Sequence, residues 1–298
     1  MRFSFWPNPS QTYTEVLALT QHAERTGWDG VWYADHFMPN AADTSAPWPE
    51  AWTTLAALGA QTQRLRIGTL VSGNTYRHPA VLAKMAATLD HITQGRVVLG
   101  LGSGWQENEH RQYGIPFYSV AERLARLAEA CQVIKALFGQ SEANFTGAFY
   151  TLEHACLEPK PLQQPLPLLI GGGGEKVTLK ITAQYADEWN VWGDPALLAY
   201  KMSVLDAHCA DVGRDPKQIQ RSAVALLCMS EERAYLEKMR AAGLQQPALI
   251  GTPAEIRDMI DAYREAGVDE VIVPDFTLGD HTQKLATMDT FITAVAGR

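Results

Sequence analysis

The stretch GRVVLGLGSGWQENE, residues 95–109, decides the fold predicted for this chain. Its apolar run over residues 97–101 is too short for a helix and is typical of a strand covered on both faces in a parallel sheet. Glycine occupies every second position from Gly100 to Gly104. The missing side chains would let the backbone turn tightly and approach a flat or phosphorylated ligand. A strand that simply ends in glycines explains this stretch equally well when it is considered alone.

Short apolar segments alternate with helical patterns through the rest of the chain. The predicted strands cover residues 2–6, 29–34, 65–71, 97–101, 167–170, 188–192, 219–229 and 270–273. Residues 140–165 break the alternation and resemble a small hairpin before a proline-rich run, so they are predicted to form an excursion before the fifth strand. Eight strands alternating with helices predict one α/β domain over residues 1–298, a (β/α)8 TIM barrel.

Composition excludes several classes of protein. The chain has 298 residues, of which 46% are hydrophobic, and this is enough for a sizeable core. A net charge of -8 without a Lys/Arg run argues against a nucleic-acid surface. No segment approaches the apolar length that spans a bilayer, so no membrane partner and a cytoplasmic location are expected. Four scattered cysteines and no H-E-x-x-H pair predict neither a disulfide framework nor a metal site.

The loops after the predicted strands carry the candidate functional residues. Because such loops meet at one end of a barrel, they would bring together Asp35 and His36, residues 72–74, residues 102–109 and residues 171–174. An Asp-His pair offers a group that moves a proton near neutral pH. A single histidine at the end of a strand is, however, more often structural.

The four glycines at 171–174 precede a helical pattern and would present bare backbone N–H groups to a phosphate. Lys176 and Lys180 would add positive charge there. An ordinary strand-to-helix turn needs only one or two glycines. Residues 100–104, by contrast, do not match a dinucleotide fingerprint, because the spacing is G-x-G-x-G and residues 106–117 are predicted to form a polar loop and not a helix.

Across nearly its whole length, the chain resembles the bacterial luciferase-like family of flavin- or deazaflavin-dependent oxidoreductases. The resemblance rests on GWDGVWYADHF (27–37), RIGTLVSGNTYRHPAVLAKMAATLDHITQGRVVLGLGSGW (66–105) and PLPLLIGGGGEKVTLKITAQYADEWN (165–190). It implies a (β/α)8 barrel, usually dimeric, that holds an isoalloxazine-type ring at the carboxyl ends of the strands. It also implies a non-proline cis peptide between Leu70 and Val71 against the back of that ring.

The resemblance further implies roles for individual residues. Asp35 and His36 are similar to the pair that members using coenzyme F420 place near the reactive carbon, with His36 as the proton donor. Positions that line the ring or its ribityl chain are matched by Ser103, Gly104 and Asn108, and the phosphate-binding turn by Gly172 and Gly173. The predicted cofactor site is completed by Leu70, Val71, Ser72, Asn74, Trp105, Gly171 and Gly174.

One departure from the family pattern lies at Trp105. The sugar-phosphate dehydrogenase branch has a catalytic glutamate at this position, so its substrate and acid-base scheme are not carried over to this chain. Glu107 and Glu109 are nearby carboxylates that would substitute, although a salt bridge to Arg111 or Arg77 explains them equally well.

We therefore expect an F420-dependent oxidoreductase that passes a hydride between the deazaflavin ring and a small organic substrate. His36, oriented by Asp35, would handle the proton, and Glu109 is a further catalytic candidate. Two alternatives remain open: a monooxygenase that uses reduced FMN and oxygen, and an idle barrel that only binds a flavin. The expected partner in assembly is a second copy, and the substrate pocket would be shaped by residues 39–49, residues 140–165 and a wall of Trp6, Trp48, Trp105 and Trp192.

Overall fold

Residues 1–297, which the computed structural model describes, contain eight parallel strands closed into a barrel. The strands are β1 (Arg2–Trp6), β2 (Gly30–Tyr33), β3 (Arg66–Thr69), β4 (Val97–Gly102), β5 (Leu168–Gly171), β6 (Glu188–Trp192), β7 (Gln220–Val224) and β8 (Glu270–Pro274). Each strand pairs with the next, and β8 pairs with β1 from Arg2 opposite Glu270 to Trp6 opposite Pro274. The predicted (β/α)8 TIM barrel is confirmed.

Eight helices within these residues cover the outside of the barrel. They are α1 (Tyr13–Thr26), α2 (Ala51–Ala60), α3 (Pro79–Ile92), α4 (Val120–Gly139), α5 (Thr178–Tyr185), α6 (Pro195–Asp211), α7 (Pro253–Glu265) and α8 (His281–Thr290). Local signals set several of their ends. Thr12 and Glu15 form a capping box at the start of α1, and Gly27 ends that helix with a φ of 96°.

Two segments differ from the prediction, and a third agrees with it. A short helix, Glu107–Tyr113, replaces part of the loop predicted at 106–117. The strand predicted over 219–229 is broken after β7, and Leu226–Met229 pairs instead with Ala248–Gly251, a strand that was not predicted. The excursion before β5 does contain an antiparallel hairpin of Ala143–Thr146 and Thr151–Ala155.

The inside of the barrel is filled toward the amino-terminal ends of the strands. Trp32, Val98, Leu169 and Ile272 are buried there in one apolar cluster. Beyond it, the buried carboxylate of Glu270 accepts hydrogen bonds from the Trp32 indole at 2.8 Å, Arg2 at 3.0 Å and Arg66 at 3.1 Å, and Glu188 pairs with the same two arginines. Because side chains fill the barrel interior at this end, the open space inside the barrel lies toward the carboxyl ends of the strands.

Several negative observations apply to residues 1–297. No helix in this part of the chain combines the length and apolar character needed to cross a membrane. The same residues hold no group of three or more His, Cys, Asp or Glu side chains arranged to bind a metal ion. Cys131, Cys156, Cys209 and Cys228 are all free thiols.

Candidate active site

A cavity of about 680 Å³ opens at the carboxyl ends of the barrel strands. Its lining comes from loops far apart in the sequence: His36 after β2, Leu70 and Val71 after β3, Trp105 after β4, and Gly171 and Gly172 at the end of β5. This volume lies within the range of pockets that bind small ligands and cofactors. The predicted convergence of these loops is therefore present, and these six residues of the predicted site lie together.

The floor of the cavity is a bulge at Leu70 and Val71, whose connecting peptide is cis, as the resemblance implied. The glycines around it make room for the Val71 side chain. A Cβ added to Gly102 or Gly171 would lie 2.8 Å from a methyl group of Val71. The alternating glycines thus accommodate a neighbouring side chain in addition to exposing backbone, and this function was not predicted from the sequence.

His36 is held in the cavity wall by Glu109. Its Nδ1 lies 2.8 Å from Glu109 Oε1, while Glu109 Oε2 accepts the backbone N–H of Phe37 at 2.8 Å. Tyr76 donates its hydroxyl to the same Oε1. Burial by itself raises the pKa of Glu109, but hydrogen bonds from His36, Phe37 and Tyr76 outweigh it and bring the pKa below its ordinary value. Because an ionised carboxylate only accepts hydrogen bonds, His36 donates its Nδ1–H to Glu109, and this contact leaves Nε2 unused.

Tyr76 remains a donor in this arrangement. Burial, together with the hydrogen bond to Glu109 and the charge of that carboxylate, raises the pKa of its hydroxyl well above the ordinary value. The hydroxyl therefore stays protonated at neutral pH and supports the position of Glu109. Tyr76 was not predicted from the sequence, because a tyrosine seven residues beyond the end of β3 carries no local signal of such a contact.

The expectation that Asp35 orients His36 is wrong. Asp35 is 0% exposed, and its carboxylate accepts hydrogen bonds from Arg77 at 2.6 Å and 3.2 Å. Arg77 also binds Glu50, at 2.6 Å. Adjacent side chains in an extended segment point to opposite sides, so Asp35 and His36 face different surroundings. The salt bridge from Glu109 to Arg77 or Arg111 that was left open in the sequence analysis is replaced by the contact with His36.

The other predicted site residues do not line the cavity. Ser72 accepts the Trp52 indole N–H at 3.0 Å, and Asn74 donates to the Tyr150 hydroxyl at 3.2 Å. The Asn108 amide donates to Pro39 O and accepts the backbone N–H of Glu109, both at 2.9 Å. The predicted site residues outside the lining are Asp35, Glu109, Ser72, Asn74, Ser103, Gly104, Asn108, Gly173 and Gly174. Ser72, Asn74 and Asn108 support the loops that carry the lining residues.

The glycine turn after β5 is longer than predicted, because α5 begins at Thr178 and not at residue 175. Gly172 has a φ of 123°, a conformation that side chains disfavour. The cation beside this turn is Lys201 of α6, which donates to Gly173 O at 3.0 Å and pairs with Glu175 at 2.6 Å. Lys176 and Lys180 are both exposed. The sequence carries no local signal for Lys201, since it lies 28 residues beyond Gly173.

Aromatic side chains form the remaining wall. Trp6 packs 5.9 Å from Trp192 and 5.4 Å from Phe276, measured between ring centroids. Trp105 stands edge-on to His36 at 5.4 Å, and its side chain is 60% exposed. The four predicted tryptophans all line the cavity, and Phe276 is an additional member that the sequence analysis missed.

Comparison with known proteins places this geometry in a family. The luciferase-like monooxygenase family model matches residues 1–242. An F420-dependent glucose-6-phosphate dehydrogenase of Kineococcus radiotolerans is 31% identical over 283 residues, which cover 91% of this chain and 82% of that protein. A second enzyme of that name, from Amycolatopsis mediterranei, is 39% identical over 174 residues, which cover 58% of this chain and 50% of that protein.

A solved structure shows the same architecture. The F420-dependent secondary alcohol dehydrogenase in complex with an F420-acetone adduct superposes with a TM-score of 0.86, covering 99% of this chain and 98% of that chain. At 22% identity, this likeness concerns the fold alone. Because the family model matches most of its length, the chain belongs to the luciferase-like monooxygenase family.

Proposed function

We propose that the protein is an F420-dependent oxidoreductase that exchanges a hydride with a small organic substrate. The observation that carries the proposal is the His36–Glu109 pair: a histidine that lines the cavity is hydrogen-bonded through Nδ1 to a buried carboxylate, and the same cavity contains the Leu70–Val71 bulge and the glycine turn. The names of the dehydrogenase relatives support the choice of cofactor. The predicted homodimer and the single domain over residues 1–298 stay predictions.

The residues present fit a deazaflavin with a phosphate-bearing tail. Leu70 and Val71 offer an apolar surface for one face of a flat ring, and Gly171 and Gly172 expose backbone at the edge of the same cavity. Lys201 supplies a positive charge beside the turn. Bare backbone in a glycine turn, with a cation beside it, suits a phosphate group.

This fit assigns separate roles to the coenzyme and to the residues of the cavity. When bound, the coenzyme supplies the hydride chemistry. His36 Nε2 takes the proton of a substrate hydroxyl, or returns one to a substrate carbonyl. The Glu109 carboxylate keeps the Nδ1 proton in place and stabilises the ring when it is charged. Trp6, Trp105 and Trp192 restrict water around the reacting atoms.

The affinities for the two candidate cofactors test the proposal. We expect oxidised F420 to bind more tightly than FMN, as measured by quenching of F420 fluorescence and by calorimetry with each cofactor. The family description keeps the FMN monooxygenase as the second candidate. Tight binding of FMN without binding of F420 would reverse the order of the two functions, and activity without turnover of either cofactor would contradict both.

Glu109→Gln is expected to lower kcat by roughly 10- to 100-fold, because a neutral amide holds the His36 ring less well than a carboxylate does. The effect on stability should depend on pH. The folded-state pKa of Glu109 is lowered, so its carboxylate stabilises the fold fully above the unfolded-state pKa, and this contribution is lost as the pH falls through the folded-state pKa. Thermal unfolding midpoints of both proteins should therefore differ at neutral pH, and the difference should shrink as the pH falls below the ordinary glutamate pKa of about 4.3 and through the lower folded-state pKa.

A control for this experiment is Glu142→Gln, which removes the partner of an exposed histidine, His154, in the hairpin. It should leave kcat unchanged. An E109Q protein with the wild-type kcat at every pH would show that Glu109 does not position His36 for proton transfer.

A further inference from the structure

The cavity wall that remains after the cofactor surface is assigned is mainly aromatic. Trp6, Trp192 and Phe276 form a continuous group of rings, and Trp48 and Trp105 add two more indoles. Such rings bind apolar surface and pack against the edges and faces of other rings. The wall thus favours a substrate with a compact hydrocarbon or aromatic body.

Apart from the His36 imidazole and the tryptophan indoles, the polar side chains in the lining are uncharged. They are the amides of Asn8, Asn40, Gln106, Asn190 and Gln246. Gln106 already donates to Met38 O at 2.9 Å, and Asn190 donates to the Ser222 hydroxyl at 2.9 Å. Over residues 1–297, the lining includes no lysine and no arginine. A phosphate monoester therefore finds no cation in this wall.

The charges behind His36 disfavour an anion further. Arg77 is bound by Asp35 and Glu50, and Glu109 contributes another carboxylate directly behind the imidazole. The cluster thus contains three carboxylates and one guanidinium. Lys201 lies at the glycine turn, where it pairs with Glu175 and is assigned to the cofactor phosphate. A doubly charged phosphate near His36 would be desolvated without a partner and repelled by this cluster.

We infer that the substrate is an uncharged alicyclic or aromatic secondary alcohol, or the corresponding ketone, and that sugar phosphates are excluded. This inference rests on the proposed function and separates the protein from relatives that are named for glucose 6-phosphate. In the oxidative direction, the carbinol C–H bond breaks and its electron pair passes as hydride to oxidised F420. The hydroxyl proton goes to His36 Nε2, and the carbon–oxygen double bond of the ketone forms.

The first experiment compares cyclohexanol with glucose 6-phosphate as reductants of F420 by the purified protein, followed by the loss of F420 absorbance. We expect kcat/KM for cyclohexanol to exceed that for glucose 6-phosphate by at least about 100-fold, a difference of roughly 3 kcal/mol in transition-state stabilisation. Calorimetry on the F420-loaded protein provides a readout without turnover: cyclohexanone should bind, and glucose 6-phosphate should not.

A matched pair of variants tests the wall itself. Phe276→Ala should raise KM for cyclohexanol about tenfold without changing F420 affinity, because it removes apolar contact area from the cavity. Tyr13→Ala is the control, since Tyr13 is similarly exposed, at 39% against 44% for Phe276, but lies on α1 outside the cavity lining. Equal KM values for the two variants would contradict the assignment of this wall.

The outcomes separate the inference from the proposed function. Preference for glucose 6-phosphate in turnover or binding would overturn the substrate class and leave the F420-dependent oxidoreductase intact. Absence of cyclohexanone binding to the F420-loaded protein would also overturn the substrate class. Failure of the protein to bind F420 would overturn the proposed function and, with it, this inference.

Discussion

Replacing His36 with asparagine is expected to lower kcat by roughly 10²- to 10⁴-fold, the range that general acid-base catalysis usually contributes. Asparagine retains a polar side chain of similar reach but has no group that exchanges a proton near neutral pH. Because Leu70, Val71 and the glycine turn form the proposed cofactor surface, the affinity for F420 should change little. The variant thus separates proton transfer from cofactor binding.

The measurements are F420 reduction under steady-state conditions and F420 affinity by fluorescence quenching. His154→Asn is a matched control, because His154 lies exposed in the hairpin and has a φ of 47°, a conformation that asparagine tolerates well. It should behave like the wild type. A His36→Asn protein with an unchanged kcat would remove His36 as the proton-transfer group, and an equal loss of F420 affinity would assign it to binding.

Gly100→Ala is expected to destabilise the barrel by about 1–3 kcal/mol or more and to weaken F420 binding. A Cβ at this position would lie 1.9 Å from the backbone oxygen of Thr69 and 3.2 Å from a methyl group of Val71. The first contact is with backbone, so rotation of a side chain cannot relieve it. The end of β3 must move, and it carries Leu70 and Val71 into the cavity.

Thermal unfolding and F420 titration of the variant provide the two readouts. Gly139→Ala serves as the control, because a Cβ added to this last residue of α4 meets no atom within 4 Å. Its unfolding midpoint should equal or slightly exceed that of the wild type, since alanine favours the helix. A Gly100→Ala protein as stable as this control would show that the strands adjust without cost and that the bulge is not constrained by Gly100.

The elements that the sequence predicted correctly have local causes. Contacts within a few residues fix both ends of α1. Thr12 and Glu15 form the capping box where the helix begins, and Gly27 ends it. The apolar run of β4 is buried on both faces, as its composition indicates. By contrast, the helix Glu107–Tyr113 is polar and has no side-chain hydrogen bond at its N-cap, so Gly114, which ends it with a φ of 67°, is its main local signal. The prediction of one continuous strand over 219–229 is wrong for a different reason. Leu226–Met229 is a strand, but its partner is Ala248–Gly251 outside the barrel.

Sequence by itself determined the alternation of strands and helices, the family, and the loops that meet at one end of the barrel, because hydrophobic period, helix caps and glycine runs act over a few residues. Only the tertiary structure decided which side chains meet there. His36 and Glu109 are 73 positions apart, and Asp35 and Arg77 are 42 apart. Asp35 is next to His36 along the chain, whereas Glu109 is next to it in space. The choice between them depends on which side of the extended segment each side chain faces and on how a distant loop packs, which no local pattern encodes.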